Sequence, residues 1–265
     1  MDSEGQSSVA ILAPETANAD TWYTQCIQAI KNNDKAWGSI QGLAVHSYFN
    51  SPLEEQAQII LGTGKQYWMT ESSTNGVDSP SNDAIAADQL GRFLNDLNHG
   101  VDHWIFFIGY YSQPYGSSHP DQDGATKLMV YYMGDNQLII HLKYWYFKNV
   151  MNTFDYGSIF RHSTSDVDGE MNAQKAGLVA AAAQNPDKSW TIGLVNQSGL
   201  KRRPSQDTYT ADVYVEELQN AGPLHFKGQS STASDHYLNI GSYTMVNGHL
   251  TINVKPLELI TLRSQ

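Results

Sequence analysis

Four times between residues 9 and 152, a short apolar run gives way to a segment whose apolar residues recur at helical spacing. Val9-Ala10-Ile11-Leu12-Ala13 ends at Pro14-Glu15, and Asp20 then caps a helix carrying Trp22, Ile27 and Ile30. Leu43-Ala44-Val45 runs into His46-Ser47-Tyr48, and Pro52 opens a second helix that stops at Gly62 and Gly64. Gln66-Tyr67-Trp68-Met69-Thr70-Glu71 leads into the polar loop Thr74-Asn75-Gly76 and then a helix over 82–98, with Gly100 as its stop. Val101 to Ile108 is the fourth strand, 109–126 reads as a long loop, and 137–152 as the last helix. Short apolar strands alternating with helices make a parallel sheet covered through right-handed crossovers. The units differ in length and share no sequence, which excludes a solenoid.

After residue 153 the pattern changes. Ser158–His162, Gly177–Ala183, Trp190–Asn196, Tyr209–Glu216, His236–Ile240, His249–Val254 and Leu257–Leu262 are short strand candidates. Asn185-Pro186-Asp187, Gln197-Ser198-Gly199 and Asn247-Gly248 are the turn signals between them, the last a strong hairpin mark. The expected fold is therefore α/β plus all-β. Residues 1–153 form four β/α units, half of an eight-stranded barrel, and residues 154–265 form an antiparallel β-sandwich.

The charge balance limits the partners. A net charge of −11 argues against nucleic acid and anionic membranes, which require a local basic patch. The nearest such patch, Lys201-Arg202-Arg203, reads as a solvated turn beside Pro204. No run of about 18 apolar residues predicts a transmembrane helix, and Met1 to Ser8 carries no apolar signal region. The single Asn-x-Ser/Thr acceptor, Asn196-Gln197-Ser198, assigns no compartment. The one cysteine, Cys26, sits in a helical run as a small core residue and cannot form an intrachain disulfide. His46, His99, His103, His119, His141 and His162 show no metal-ligand spacing, and Gly62-Thr63-Gly64-Lys65 is too short for a phosphate loop, so no metal or cofactor is expected.

In a parallel barrel the strands' C-terminal ends open on one rim, which carries the chemistry. Here the loops after the strands bring Glu15, His46–Asn50, Glu71 and Tyr110–Tyr115. Carboxylates beside histidine, tyrosine and tryptophan suit glycosidic bond cleavage. That reaction needs two carboxyl groups, ~5–5.5 Å apart when configuration is retained. The high aromatic content, 15 Tyr, 8 Phe and 6 Trp, suits stacking on sugar rings as well as ordinary β packing.

Five pieces recur in a familiar order: Ala-Pro-Glu at 13–15, Leu-Ala-Val-His-Ser-Tyr at 43–48, Tyr-Trp-Met-Thr-Glu at 67–71, His103-Trp104-Ile105-Phe106-Phe107, and Pro256-Leu257-Glu258-Leu259-Ile260. Together they resemble the C-terminal half of a clan A glycoside hydrolase, most like glycoside hydrolase family 30. The resemblance implies that the four strands stand for barrel strands five to eight. It implies that Glu71 is the nucleophile, and that His46 and Tyr48 contact the sugar and support that nucleophile. Trp104 would floor the subsite at the cleavage point, while Tyr110 and Tyr115 would stack on sugars. A satisfied core histidine remains an alternative for His46, as does plain packing for Trp104. Glu15 is expected as a supporting carboxylate and is also a candidate proton donor.

One departure is large. The family's acid/base glutamate follows an asparagine at the end of the fourth strand, and no Asn-Glu pair occurs in the 265 residues. The first four strands are absent with it. A fragment, an incomplete gene product and a half-barrel that closes by pairing are the readings of this departure. A homodimer or other oligomer completing the barrel, or an exchange of strands, is the physical expectation, because bare parallel edges and an apolar inner face are unstable in water. The segment Gly109 to Tyr115 has no Arg or Lys to hold a uronate, which favours a neutral β-linked glycan or glycoside. Two other readings stand beside the enzyme: a carbohydrate-binding remnant without the acid, and a sandwich that is itself the binding module.

Overall fold

The computed structural model describes residues 9–74, 81–118, 126–165, 169–170 and 175–265. Asn75, Gly76 and His119 lie outside the described residues. The chain divides into two compact units, residues 1–72 with 99–106, and residues 73–98 with 107–265.

The first unit is a parallel sheet backed by helices. Its strands are β1 (Leu12–Thr16), β2 (Gly42–His46), β3 (Gln66–Ser72) and β4 (His103–Phe106), hydrogen-bonded in the order β1-β2-β3-β4. Helices α1 (Thr21–Lys31), α2 (Asp34–Ser39) and α3 (Glu54–Ile60) connect them. The Asp20 side chain accepts from the Tyr23 amide at 3.1 Å and so starts α1. Asn33 does the same for α2 through the Ala36 amide. Tyr23 and Ile27 of α1, Leu43 and Val45 of β2, and Tyr67 and Met69 of β3 form one buried core with Ile60 of α3. The rings of Tyr23 and Tyr67 lie nearly parallel, 6.4 Å apart. Each fully buried side chain of this size is worth about 1.5–3 kcal/mol relative to exposure. Side chains alternate along a strand. Because Tyr67 and Met69 face the helices, Trp68 and Thr70 face the other way. On β4, Ile105 is exposed.

The second unit starts with α4 (Asn82–Asn98), followed by β5 (Tyr110–Gln113), β6 (Met129–Tyr132), β7 (Gln137–Ile140) and α5 (Leu142–Met151). Short strands β8 (Ile159–Arg161), β9 (Thr164–Ser165) and β10 (Gly169–Glu170) precede β11 (Leu178–Gln184) and β12 (Trp190–Asn196). The remainder is β13 (Tyr209–Tyr214), β14 (Leu224–Ser231), β15 (Leu238–Met245), β16 (His249–Val254) and β17 (Leu259–Ser264). Six of these form an antiparallel sheet in the order β15-β14-β17-β12-β11-β8, and β13 pairs with β16. Ile192, Leu194, Phe226, Ile260 and Leu262 of the large sheet bury against Leu250, Ile252 and Val254 of the small one. The large sheet's other face receives α4 and α5. A Cβ on Gly193 of β12 would stand 3.2 Å from Leu94 of α4, and Asn149 of α5 accepts from Thr261 of β17 at 2.6 Å.

Four local expectations differ from this structure. Residues 137–140 are strand, because Leu138-Ile139-Ile140 pairs antiparallel with Met129–Tyr132, and the helix begins only at Leu142. The stretch read as loop contains β5, paired parallel with β6. The strand β14, interior to the large sheet between β15 and β17, has no counterpart in the sequence reading. It spends only Leu224 and Phe226 on the apolar face and continues Gly228-Gln229-Ser230. The Asn247-Gly248 turn is tight, with φ of 52° and 80°, but it leads from one sheet into the other.

Candidate active site

The parallel register sets three polar side chains side by side at the strands' C-terminal ends. Glu15 of β1 pairs with Ala44 of β2, and His46 of β2 pairs with Glu71 of β3. Tyr48 follows two residues after β2 ends. The Tyr48 hydroxyl donates to Glu71 Oε2 at 2.5 Å, and His46 Nδ1 lies 3.4 Å from the same oxygen. His46 Nε2 lies 3.1 Å from Glu15 Oε1. The imidazole therefore bridges two carboxylates. A neutral ring donates through one nitrogen, and only the cation donates through both.

Glu71 is 32 % exposed and Glu15 is 49 % exposed. Among the described residues, Glu71 Oε1 has no hydrogen-bonding partner. One oxygen of this carboxylate is thus held and the other is open. Burial, foremost, then the hydrogen bond to Glu71 and its negative charge, push the Tyr48 hydroxyl well above the ordinary phenol range. Tyr48 stays a donor at every pH where a protein of this kind works.

The strand tips are locked by groups that periodicity does not reveal. The Ser47 amide donates to the Glu71 carbonyl at 2.9 Å, and Thr70 Oγ1 donates to the Val45 carbonyl at 3.3 Å. Asn18 Oδ1 accepts from the amides of Phe49 and Asn50, at 2.8 and 3.4 Å. Asn18 thereby fixes the turn that presents Tyr48. Its only sequence signal is an asparagine between a strand and a helix cap.

Glu15, His46, Tyr48 and Glu71 are brought together. Trp104 lies in the same unit, half-buried, and packs against the helix-side core. The stacked pair on this sheet is instead Trp68 and His103, with ring centroids 4.0 Å apart and planes at 4°. The Trp68 indole donates to Gln66 at 3.0 Å, and His103 pairs with Asp102 at 2.7 Å. Tyr110 and Tyr115 are exposed side chains of the second unit. Among the described residues, no three His, Cys, Asp or Glu side chains gather as a metal set, and no helix is long and apolar enough to cross a membrane.

No protein-family model matches the sequence, and no curated protein sequence matches it. Solved structures do match. The chain is similar to a glycoside hydrolase family 30 subfamily 8 xylanase from Clostridium acetobutylicum, with a TM-score of 0.64 and 14 % identity. That match covers 99 % of this chain and 57 % of the xylanase. A family 30 endoxylanase from Clostridium papyrosolvens C71 gives 0.63 and 13 %, over 97 % of this chain and 56 % of that one. A family 51 arabinofuranosidase from Xanthomonas axonopodis pv. citri gives 0.54 and 13 %, over 96 % and 58 %. The mixed α/β fold is similar to that of these family 30 and family 51 glycosidases, and the chain spans a little over half the length of these neighbours.

Proposed function

We propose that this chain is the nucleophile-bearing half of a retaining β-glycosidase, with Glu71 as nucleophile and a neutral β-linked glycan or glycoside as substrate. The observation that carries this is the asymmetry of the Glu71 carboxylate: Oε2 accepts from Tyr48, with His46 Nδ1 3.4 Å away, and Oε1 is open. A fixed carboxylate with one uncommitted oxygen can form a bond to an anomeric carbon as the bond to the leaving oxygen breaks. The leaving oxygen then takes a proton from a second carboxylic acid. In this scheme Glu15 serves His46, since its Oε1 is engaged with that ring. Trp104 supports the strand by packing, and the exposed rings of Tyr110 and Tyr115 are of the kind that stack on sugars.

The layout belongs to the same proposal. Residues 1–153 represent barrel strands five to eight with their helices, and residues 154–265 a β-sandwich. The parallel order β1-β2-β3-β4 and the single core shared by two antiparallel sheets support it. No Asn-Glu pair occurs in the sequence, so the proton donor in this scheme is a carboxyl group outside that motif. Among the described residues, β1 and β4 each pair with one neighbour only. A second copy closing the barrel would cover both edges and bring a second Glu15 to the mouth.

A 2-deoxy-2-fluoro glycoside with a dinitrophenyl leaving group tests the nucleophile alone, because that leaving group scarcely needs an acid. Mass mapping is expected to find the label on Glu71. A label on another residue, or an undiminished rate in E71Q, removes Glu71 from this role. The missing acid motif favours one other reading, a carbohydrate-binding remnant, which would bind glycan yet form no adduct.

A further inference from the structure

A shallow cleft of about 310 Å³ opens on the second unit, where the end of α5 meets the large antiparallel sheet. That volume is at the small end of the range for ligand sites. Its chemistry is set by strand alternation. Phe226, Gly228 and Ser230 of β14 are buried on one side of the strand, so Lys227 and Gln229 project on the other. Arg263 of β17 stands opposite Lys227 in the ladder. Asn152, just past α5, and Tyr237, just before β15, close the ends.

The arginine of the cleft is already paired. The Arg263 guanidinium grips Asp155 through two bonds, at 2.9 and 2.7 Å, and Asp187 through a third at 2.8 Å. The guanidinium's charge is thus met by two carboxylates and is not free to hold an anion. The unspent groups are polar and mostly neutral. Gln229 Oε1 is buried without a protein partner. Among the described residues, the side chains of Lys227, Asn152 and Tyr237 make no hydrogen bond to protein. Two carboxamides, an amine and a phenol, whose ring is also the aromatic face of the cleft, form a donor-and-acceptor set for a hydroxyl-rich ligand.

We propose that this cleft binds an uncharged sugar residue without cleaving it, as a glycan-holding site on the antiparallel sheets. Nothing in the cleft requires Glu71 to be a nucleophile. The test uses the full chain carrying E71Q, titrated with neutral β-linked xylo- and gluco-oligosaccharides by calorimetry and by amide NMR. Binding is expected, with the amide signals of Gln229 and Tyr237 shifting. K227A with Q229A is expected to weaken it about five-fold or more, the loss of one modest hydrogen bond, at an unchanged melting temperature. In the chain with Glu71 intact, the same pair leaves hydrolysis of a nitrophenyl glycoside unchanged. Unchanged affinity in the K227A/Q229A chain overturns the proposal. So does a failure of the parent chain to bind any neutral oligosaccharide. Binding confined to uronate-bearing oligosaccharides and falling steeply with salt also overturns it, because that is the signature of an anion site. A failed Glu71 adduct with intact cleft binding would leave this site standing, and the reverse outcome would leave Glu71 standing.

Discussion

Tyr48 and His46 meet on one oxygen of Glu71, and this convergence has a kinetic consequence. A phenol that donates 2.5 Å to a carboxylate stabilises the negative charge and aims the other oxygen. Removing the hydroxyl leaves Glu71 less fixed but still ionisable. Y48F is therefore expected to lower kcat on an activated glycoside about 10–100-fold, matching the ~1.5–3 kcal/mol of a hydrogen bond to a charged group. KM should change little, since the sugar does not lose a contact. Steady-state kinetics check this, and an unchanged kcat would show that the bond to Glu71 does not serve the reaction. The alkaline limb of a pH–rate profile should also survive Y48F, because the raised phenol does not titrate there. The placement of Glu71 and His46 at adjacent strand ends was legible in the sequence because a short apolar run and the polar residue that closes it are local. Asn18 was not, because its partners, the amides of Phe49 and Asn50, lie 31 and 32 residues away.

At the scale of the element, α4 shows what an amphipathic pattern hides. Ile85, Leu90, Phe93, Leu94 and Leu97 mark an apolar face, yet Asp88, Arg92, Asn95 and Asp96 are buried too. Asp88 is 2 % exposed and holds Arg92 at 3.4 Å and Arg202 at 2.5 Å. The turn Lys201-Arg202-Arg203, which composition marks as solvated, thus sends one arginine inward. Burial raises the Asp88 carboxyl, but the two arginines outweigh it and hold it below the ordinary carboxylate range. A depressed carboxylate contributes stability that is complete above the unfolded value of about 3.9 and fades as pH falls toward the folded one. D88A leaves two arginines facing a buried gap and is expected to cost about 3–5 kcal/mol in urea unfolding at pH 7. Its stability should also fall less steeply than the parent's below pH ~4. A loss under ~1 kcal/mol would mean that water already reaches this pair. The strands that were legible are Trp190–Asn196, which is mostly apolar and buried throughout, and His249–Val254, which alternates strictly in apolar residues. β14 was silent because its place in the sheet rests on long-range pairing with β15 and β17.

For the whole molecule, the parallel sheet poses a problem of closure. Its helix-side face is a dry core, while β1 and β4 leave their outer edges unpaired among the described residues. Ile105, on β4, is 46 % exposed. Parallel strands are seldom stable with an edge and a face in water. Association of two chains about a two-fold axis covers both edges at once and repeats the same contact on each side. Light scattering is therefore expected to give twice the chain mass at micromolar concentration. I105K sets a charge where the closing strands must pack, and it removes up to about 1.5–3 kcal/mol of apolar burial from each chain. It should shift the mass to that of one chain and abolish turnover of an unactivated glycan, for which a second carboxyl group is needed. Because Ile105 does not touch Glu71's held oxygen, slow adduct formation with the activated fluoro-glycoside should persist in the I105K monomer. A parent chain that is monomeric, cooperative in melting and active on unactivated glycan would rule out closure by pairing. The proton donor would then have to come from within the 265 residues, with Glu15 the first to replace.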